Sequence, residues 1–440
     1  MSRSRRNTPR PEFELTIDDW SHDGRGVGRR DGKVVFVDGA LPGETVRVQQ
    51  TGRNRNFDEA TTLEVLVASK DRVTPRCPHF GVCSGCVLQH LDPTAQLIAK
   101  QRVLMENLAR IGHVEPARVL HPLDDAAWGY RRKGRFSVRY VEKKARVLVG
   151  FRERDPRFVA ELGECHTIVP ELGLRIGELA ALVESLDARR SIPQIEFIAG
   201  DGPVALVFRH LEPLSEDDTA RLVAFAKSTG FAVLRQPGGV DSVVNLWPTE
   251  LALEFAIPAF DLRLAFRPLD FIQVNAGLNQ RMIALALDLL QPGPEDRVLD
   301  LFCGLGNFTL PIARRAGRVV GVEGDAGLVA RARENAARNS LENIQFHAAD
   351  LAKDLSQEPW MRAGFDTLLI DPPRAGAAEV LAQLPLACVR RIVYVSCHPG
   401  SLARDAGFLV RERGYRLLAA GAMDMFPHTA HVESIALFEK

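Results

Sequence analysis

Five short apolar runs between residues 266 and 440 restrict the fold of this chain more than any other feature. They read RVLDLF (297–302), VVGVEGD (319–325), IQFHAAD (344–350), DTLLIDPP (366–373) and RIVYVSC (391–397). A strand with one wet face alternates apolar and polar residues. These runs are nearly continuous, as expected of parallel strands buried on both faces beneath helices. Helical patterns such as AGLVARARENAARNS separate them. A doubly wound α/β domain over residues 266–440 is therefore expected. Two later strand patterns, YRLLAAGAM and ESIALFEK, have no helix between them and are expected to pair as a terminal hairpin.

The remaining chain is too long for the same core, and 440 residues imply two or three domains. Residues 11–70 carry short alternating segments (FELTIDDW, KVVFVDGA, ETVRVQQ, TTLEVLVAS) separated by turns such as DGRGVG, the pattern of a small β-barrel. Residues 71–265 read as mixed α+β. They open with a cysteine-rich loop and a helix, PTAQLIAKQRVLMENLARIG, whose final glycine is expected to stop it. No run approaches the roughly 20 apolar residues of a membrane span, and the start, MSRSRRNTPR, has no apolar segment behind it. A cytoplasmic protein without membrane association is expected. Formal net charge is zero, from 56 basic and 56 acidic residues, which by itself speaks against a polyanion partner. The distribution speaks for one: residues 131–157 hold eleven Lys/Arg against Glu142, Glu153 and Asp155, and the first ten residues add four Arg.

Candidate chemistry gathers at the strand ends, where open parallel sheets bind ligands. The first run continues into Asp300-Leu-Phe302-Cys-Gly304-Leu-Gly306-Asn307-Phe308. The second ends in Glu323, placed for ribose hydroxyls, and the third in Asp350, placed near an adenine ring. Thr309 stands where a dinucleotide fingerprint has its third glycine, which favours S-adenosylmethionine over NAD. Asp371-Pro-Pro-Arg374 and Ser396-Cys397-His398-Pro399 follow the fourth and fifth runs. A thiol at a strand end suits a nucleophile, and Glu433, in His431-Val-Glu433-Ser434, suits a general base. Cys303 and Cys388 read as inert core residues. Seven cysteines cannot all pair, and no disulfide framework is expected. Cys77-x5-Cys83-x2-Cys86, with Cys165 as a fourth thiol, suits an iron–sulfur cluster or zinc, and the spacing leaves both open.

VSCHP, DPPRAG, DLFCGLGNF, FIQVN and HVES together resemble the motifs of the RNA uracil-5-methyltransferase family. The resemblance implies Cys397 as covalent nucleophile and Glu433 as proton-abstracting base. It implies Gln273, Glu323 and Asp371 as cofactor and active-site contacts, with Phe302, Gly304, Asn307 and Phe308 around the methionine part of S-adenosylmethionine. The family has Asn where this chain has His398. The cysteine pattern is similar to the [4Fe–4S] site of the rRNA-specific members, which implies Cys77, Cys83, Cys86 and Cys165 as cluster ligands. HDGRGVGRRDGKVVFVDGALPGETVRV resembles a TRAM domain, and YRRKGRFSVRYVEKK resembles the central domain of the same branch. The implied protein is multidomain α/β. It has an OB-like TRAM barrel, a central α+β domain with an iron–sulfur loop, and a class I Rossmann-like methyltransferase domain. Its implied substrate is 23S rRNA, and it is expected to act as a monomer without an obligate protein partner. Two alternatives compete. One is an exocyclic-amino methyltransferase, whose [DN]PP[YFW] loop resembles DPP, although Arg374 holds the aromatic's place. The other is a non-catalytic RNA-binding assembly factor with a relic methyltransferase domain.

Overall fold

The structure, a computed structural model, describes residues 10–440; the arginines at positions 3, 5 and 6 lie outside the described residues. The chain forms two compact units, Met1–Gln96 with Pro427–Ala430, and Leu97–Phe426 with His431–Lys440. The first contains a closed barrel of β1 (Glu12–Trp20), β2 (Gly26–Arg30), β3 (Lys33–Asp38), β4 (Thr45–Arg53) and β5 (Phe57–Val67), in the order β1-β2-β3-β5-β4. Alternation sends Leu15, Ile17, Val35, Val37, Val46, Val48 and Ala60 inward. Strand β2 falls in the segment expected to be a turn. Its buried positions are Gly26 and Gly28, so it offers no apolar alternation to read. A Cβ on Gly28 would lie 2.5 Å from the carbonyl oxygen of Thr16 on β1, so the neighbouring backbone already fills that space. Glu44, fully buried, accepts from Arg72 Nη2 at 2.7 Å and from the Leu41 N–H at 2.8 Å.

In the second unit, β7 (Lys133–Val141), β8 (Arg146–Gly150), β9 (Gln194–Ile198), β10 (Ala205–Arg209), β11 (Ala232–Gln236) and β12 (Val244–Trp247) form one mixed sheet. Its order is β12-β11-β10-β9-β7-β8, preceded in the chain by a short strand β6 (Arg118–Val119). A two-stranded pair, β13 (Leu253–Ile257) and β14 (Leu262–Phe266), follows. The helices named below are α1 (Pro93–Asn107), α2 (Ala276–Leu290), α3 (Thr309–Ala313), α4 (Ala326–Arg338), α5 (Ala378–Gln383) and α6 (Pro399–Arg411).

The five apolar runs are β15 (Arg297–Leu301), β16 (Arg318–Glu323), β17 (Ile344–Ala348), β18 (Thr367–Ile370) and β19 (Arg391–Ser396). All pair in parallel, as expected. The hairpin strands β20 (Arg416–Met423) and β21 (Glu433–Glu439) pair antiparallel, and the sheet order is β17-β16-β15-β18-β19-β21-β20-β6. From β15 the chain first builds outward through β16 and β17, then returns to place β18 on the other side. That reversal opens a crevice between the loops after β15 and β18. Helices cover both faces. Leu369 joins the core containing Leu278, Met282 and Val329, whereas Leu368 and Ile370 join the core containing Leu104, Leu381 and Leu402.

The α1 segment is helical as read, but Gly112 does not supply the left-handed residue that follows it. His113 does, with φ 53°. Gly112 is there for close approach: a Cβ would stand 2.5 Å from the Ala403 carbonyl oxygen on α6.

Candidate active site

The site starts from strand register. In the β19–β21 ladder Ser396 faces Ser434, and in the β20–β21 ladder Met423 faces Glu433. Cys397 and Glu433 are thus the next residues along two paired strands. The turn after Cys397 is tightly made. His398 caps α6, its Nδ1 accepting from the Ser401 N–H at 3.1 Å, with Pro399 at the first helical position. Ser396 Oγ accepts from the His398 N–H at 3.1 Å. His398 thus supplies the side-chain acceptor that a capping Asn would supply at this position.

The charges around these residues act on one another. Burial, reinforced by the Asp371 carboxylate, pushes the Glu433 carboxyl up to about 8, against the pull of Arg374 and Lys100. Burial alone pushes Asp371 up to about 7. Burial, followed by the negative charges of Glu433 and Asp371, pushes the Cys397 thiol up to about 11, and Arg374 opposes them. A thiol, two carboxyls and one guanidinium therefore share a single electrostatic neighbourhood. Arg374 Nη2 donates to His431 Nδ1 at 2.8 Å. Where an amino methyltransferase needs an aromatic, this chain has that cation.

The loop after β15 is a backbone cradle. Phe302, Gly304 and Gly306 all have positive φ (62°, 55° and 96°), and a Cβ on Gly304 would meet nothing within 4 Å. The Glu323 carboxylate accepts from the Gly304 N–H at 3.1 Å and from the Asp325 N–H at 3.0 Å, tying the ends of β15 and β16 together. Asn307 exchanges two 2.9 Å side-chain hydrogen bonds with Asn279 on α2. Thr309 donates to Asp300 Oδ2, while Asp300 Oδ1 is buried with no partner. Burial, with Asp371 and Glu323 adding to it, pushes Asp300 up to about 8. An orphaned carboxylate oxygen and three interacting acids beside an open cradle fit a cationic ligand such as the sulfonium of S-adenosylmethionine.

Not every predicted contact faces this cradle. Phe308 packs in the core beneath it, and Asp350 is exposed and paired with Lys353 at 3.3 Å. Gln273 is held through its backbone. Its carbonyl accepts from Arg132 Nε at 2.8 Å, the Val274 carbonyl accepts from the Arg132 N–H at 3.0 Å, and the Asp270 carbonyl accepts from Lys133 Nζ at 2.6 Å. The first residues of the basic run are thus a clamp on the Gln273 loop, with Arg132 buried against the Phe255 ring. Nothing in the sequence separates them from the exposed Arg139, Lys143, Arg152 and Arg154 further along.

The remaining cysteines divide as follows. Cys303 is buried as expected, but Cys388 is exposed, on the loop before β19, which corrects its reading as a core residue. Cys77, Cys83 and Cys86 lie in a run of turns within the first unit; the Cys77 N–H donates to Gln89 Oε1 at 3.1 Å, and Cys83 Sγ accepts from the Gly85 N–H at 3.3 Å. Cys165 belongs to the second unit and lies buried, its Sγ 3.2 Å from Thr167 Oγ1. Among the described residues no group of three or more His, Cys, Asp or Glu is arranged to hold a metal ion.

Comparisons with known proteins fit this geometry. The tRNA (Uracil-5-)-methyltransferase family model matches residues 256–440, and the TRAM domain model matches residues 6–68. The 23S rRNA (uracil(1939)-C(5))-methyltransferase RlmD of Xanthomonas campestris pv. campestris (strain 8004) is 67% identical, with 100% of each chain covered. The protein of the same name from Stenotrophomonas maltophilia (strain K279a) is 66% identical over the same extent. Among solved structures, the Pyrococcus abyssi tRNA (uracil-54, C5)-methyltransferase in complex with S-adenosyl-L-homocysteine superposes with a TM-score of 0.74. It covers 97% of this chain and 99% of its own, at 24% identity, and so shares the fold. Full-length identity at this level makes the chain a member of the 23S rRNA (uracil-C5)-methyltransferase family.

Proposed function

We propose that this enzyme methylates carbon 5 of a uracil in 23S rRNA, with Cys397 as covalent nucleophile and Glu433 as base. The observation that carries the reading is the pairing of Cys397 and Glu433 at adjacent strand ends, in one electrostatic neighbourhood with Asp371 and Arg374. Uracil C5 is a weak nucleophile. Addition of the Cys397 thiolate to C6 makes C5 enolate-like, and the bound cofactor supplies an electrophilic methyl group. Glu433 then takes the C5 proton. The C5–H electrons re-form the C5–C6 double bond, and the C6–S bond breaks to release Cys397 as thiolate. Arg374 opposes the negative charges that hold the thiol protonated. The cradle around Gly304, with Glu323 for a ribose and Asp371 near the base, would hold S-adenosylmethionine. The target base reaches Cys397 only when flipped from its stack, at a cost of a few kcal/mol offset by contacts to the RNA backbone. The enzyme would act in the cytoplasm as a monomer.

RNA carrying 5-fluorouracil at the target position tests the chemistry, because fluorine cannot leave C5 as a proton. With S-adenosylmethionine present, the parent enzyme should form an adduct that survives a denaturing gel, and Cys397→Ala should not. RNA methylation that proceeds in Cys397→Ala, with no adduct in the parent, sinks the mechanism and favours the amino-methyltransferase reading.

A [4Fe–4S] cluster on Cys77, Cys83, Cys86 and Cys165 rests on the cysteine pattern and the family resemblance. No catalytic step passes through it. Iron and acid-labile sulfide in anaerobically purified protein should approach about four each per chain, and Ser at Cys83 and Cys86 should abolish both. Metal-free but active protein would end this reading.

A further inference from the structure

Lys100 is a buried charge that the proposed reaction leaves unused. Its side chain is 3% exposed, and its Nζ donates to Asp424 Oδ1 at 2.5 Å and to the Phe426 carbonyl at 3.0 Å. The next residue of α1, Gln101, accepts from the Ala422 N–H at 2.7 Å through Oε1. Two successive helix residues thus grip the end of β20, at Ala422 and Asp424. That end lies opposite the base: Ala422 faces Ser434, and Met423 faces Glu433. The Phe426 ring also packs 5.4 Å from the ring of His431, two residues before Glu433.

An ammonium this deeply buried is costly to desolvate, and the Asp424 carboxylate and the Phe426 carbonyl offset that cost. Burial itself pushes the Lys100 ammonium toward losing its proton, while Asp424 and Glu433 favour keeping it. The charged groups acting on Glu433 are Asp371, Arg374 and Lys100, and the Cys397 thiol shares its field. Arg374 lies on the exposed side, hydrogen-bonded to His431. Lys100 is the cation on the buried side.

We infer that Lys100 is a positioning residue for the general base: its ammonium, held by Asp424 and Phe426, fixes the β20 end against which Glu433 is registered, and supplies a buried positive charge that favours the carboxylate form of Glu433 for removal of the C5 proton after methyl transfer. The inference rests on the covalent reading proposed above. It assigns Lys100 to the second half of the reaction, proton removal and release of Cys397, and not to adduct formation.

The test is a single-turnover assay with ordinary uracil-containing rRNA fragments and S-adenosylmethionine, following covalent adduct and methylated product separately at pH 7 and pH 9. In Lys100→Met the adduct should form at close to the parent rate but resolve about tenfold more slowly at pH 7. The deficit should shrink to about twofold by pH 9, where the base ionises largely without help. Lys100→Arg should restore the parent profile. If Lys100→Met fails to fold, the double variant Lys100→Met/Asp424→Leu carries the same prediction, because it replaces both charges and leaves neither buried alone. Slowed resolution at pH 7 that largely recovers at pH 9 supports the inference. A pH-independent loss, equal slowing of adduct formation and resolution, or an unchanged pH profile overturns it. Absence of any adduct in the parent overturns the covalent reading instead.

Discussion

The most informative single residue is Glu433, because its burial has two separable consequences. The first is catalytic. With its carboxyl raised to about 8, the resting site holds much of this base protonated at neutral pH, so the resolution step should accelerate with pH up to about 8 and then level. Glu433→Gln should remove that rise and leave methylated RNA bound to Cys397, visible as a retarded band with ordinary uracil. Full turnover in Glu433→Gln would exclude it as the base. The second consequence is thermodynamic. The folded-state value lies above the ordinary 4.5, so the stability linked to this group is fully present below about pH 4.5 and is lost as pH rises through about 8. Glu433→Gln should therefore match the parent in denaturant unfolding at pH 5 and exceed it at pH 8.5. The difference is on the order of a few kcal/mol at most. A neighbouring substitution tests the turn. His398→Asn keeps a side-chain acceptor for the Ser401 N–H and should be silent, whereas His398→Ala should cost about 1 kcal/mol of stability.

At the scale of elements, legibility followed the kind of signal each element emits. The five parallel strands were readable because burial on both faces makes a run apolar throughout, and the hairpin because no helix fits between 423 and 433. The strand at Gly26–Arg30 was not readable, because its inward positions are glycines. The acids and the thiol could be singled out from their places at strand ends, although Asp350, chosen in the same way, is exposed and paired with Lys353. Lys100 and Arg132 could not be, because a lysine on an amphipathic helix and an arginine in a basic run look solvated until packing buries them. Gly112 shows the same limit, since its spacing suggested a helix stop while the contact that requires it lies 291 residues away on α6, the helix that starts after the Cys397 turn. Gly112→Ala should force the Ala403 backbone to shift and cost about 1–3 kcal/mol, read from thermal or denaturant unfolding. Unchanged stability would mean that α6 has room to yield there.

For the whole molecule, the balance of charge sets how a neutral chain meets a polyanion. With 56 basic and 56 acidic residues, long-range attraction to RNA is weak, and binding must come from a local patch. The basic run narrows that patch. Arg132 and Lys133 are spent on the Gln273 loop, Arg131 donates to the Lys133 carbonyl, and Arg135, Arg146 and Arg157 pair with Glu196, Glu161 and Asp155. Arg139 and Lys143, exposed on the β7–β8 hairpin, carry the strongest remaining claim to phosphate contacts. Affinity for a 23S rRNA fragment should fall linearly with salt on logarithmic axes. Replacing both Arg139 and Lys143 with Ala should flatten that slope by about two, one for each phosphate that is no longer neutralised. Arg297 and Arg318 provide the control. They are exposed too, but sit at the first residues of β15 and β16, the sheet end opposite the cradle, so Ala at both should leave the slope unchanged. Equal flattening in both pairs would mean that RNA senses diffuse charge. Flattening confined to Arg139 and Lys143 would put the phosphate backbone along the hairpin that follows the Arg132 clamp, and so link RNA docking directly to the loop that carries Gln273.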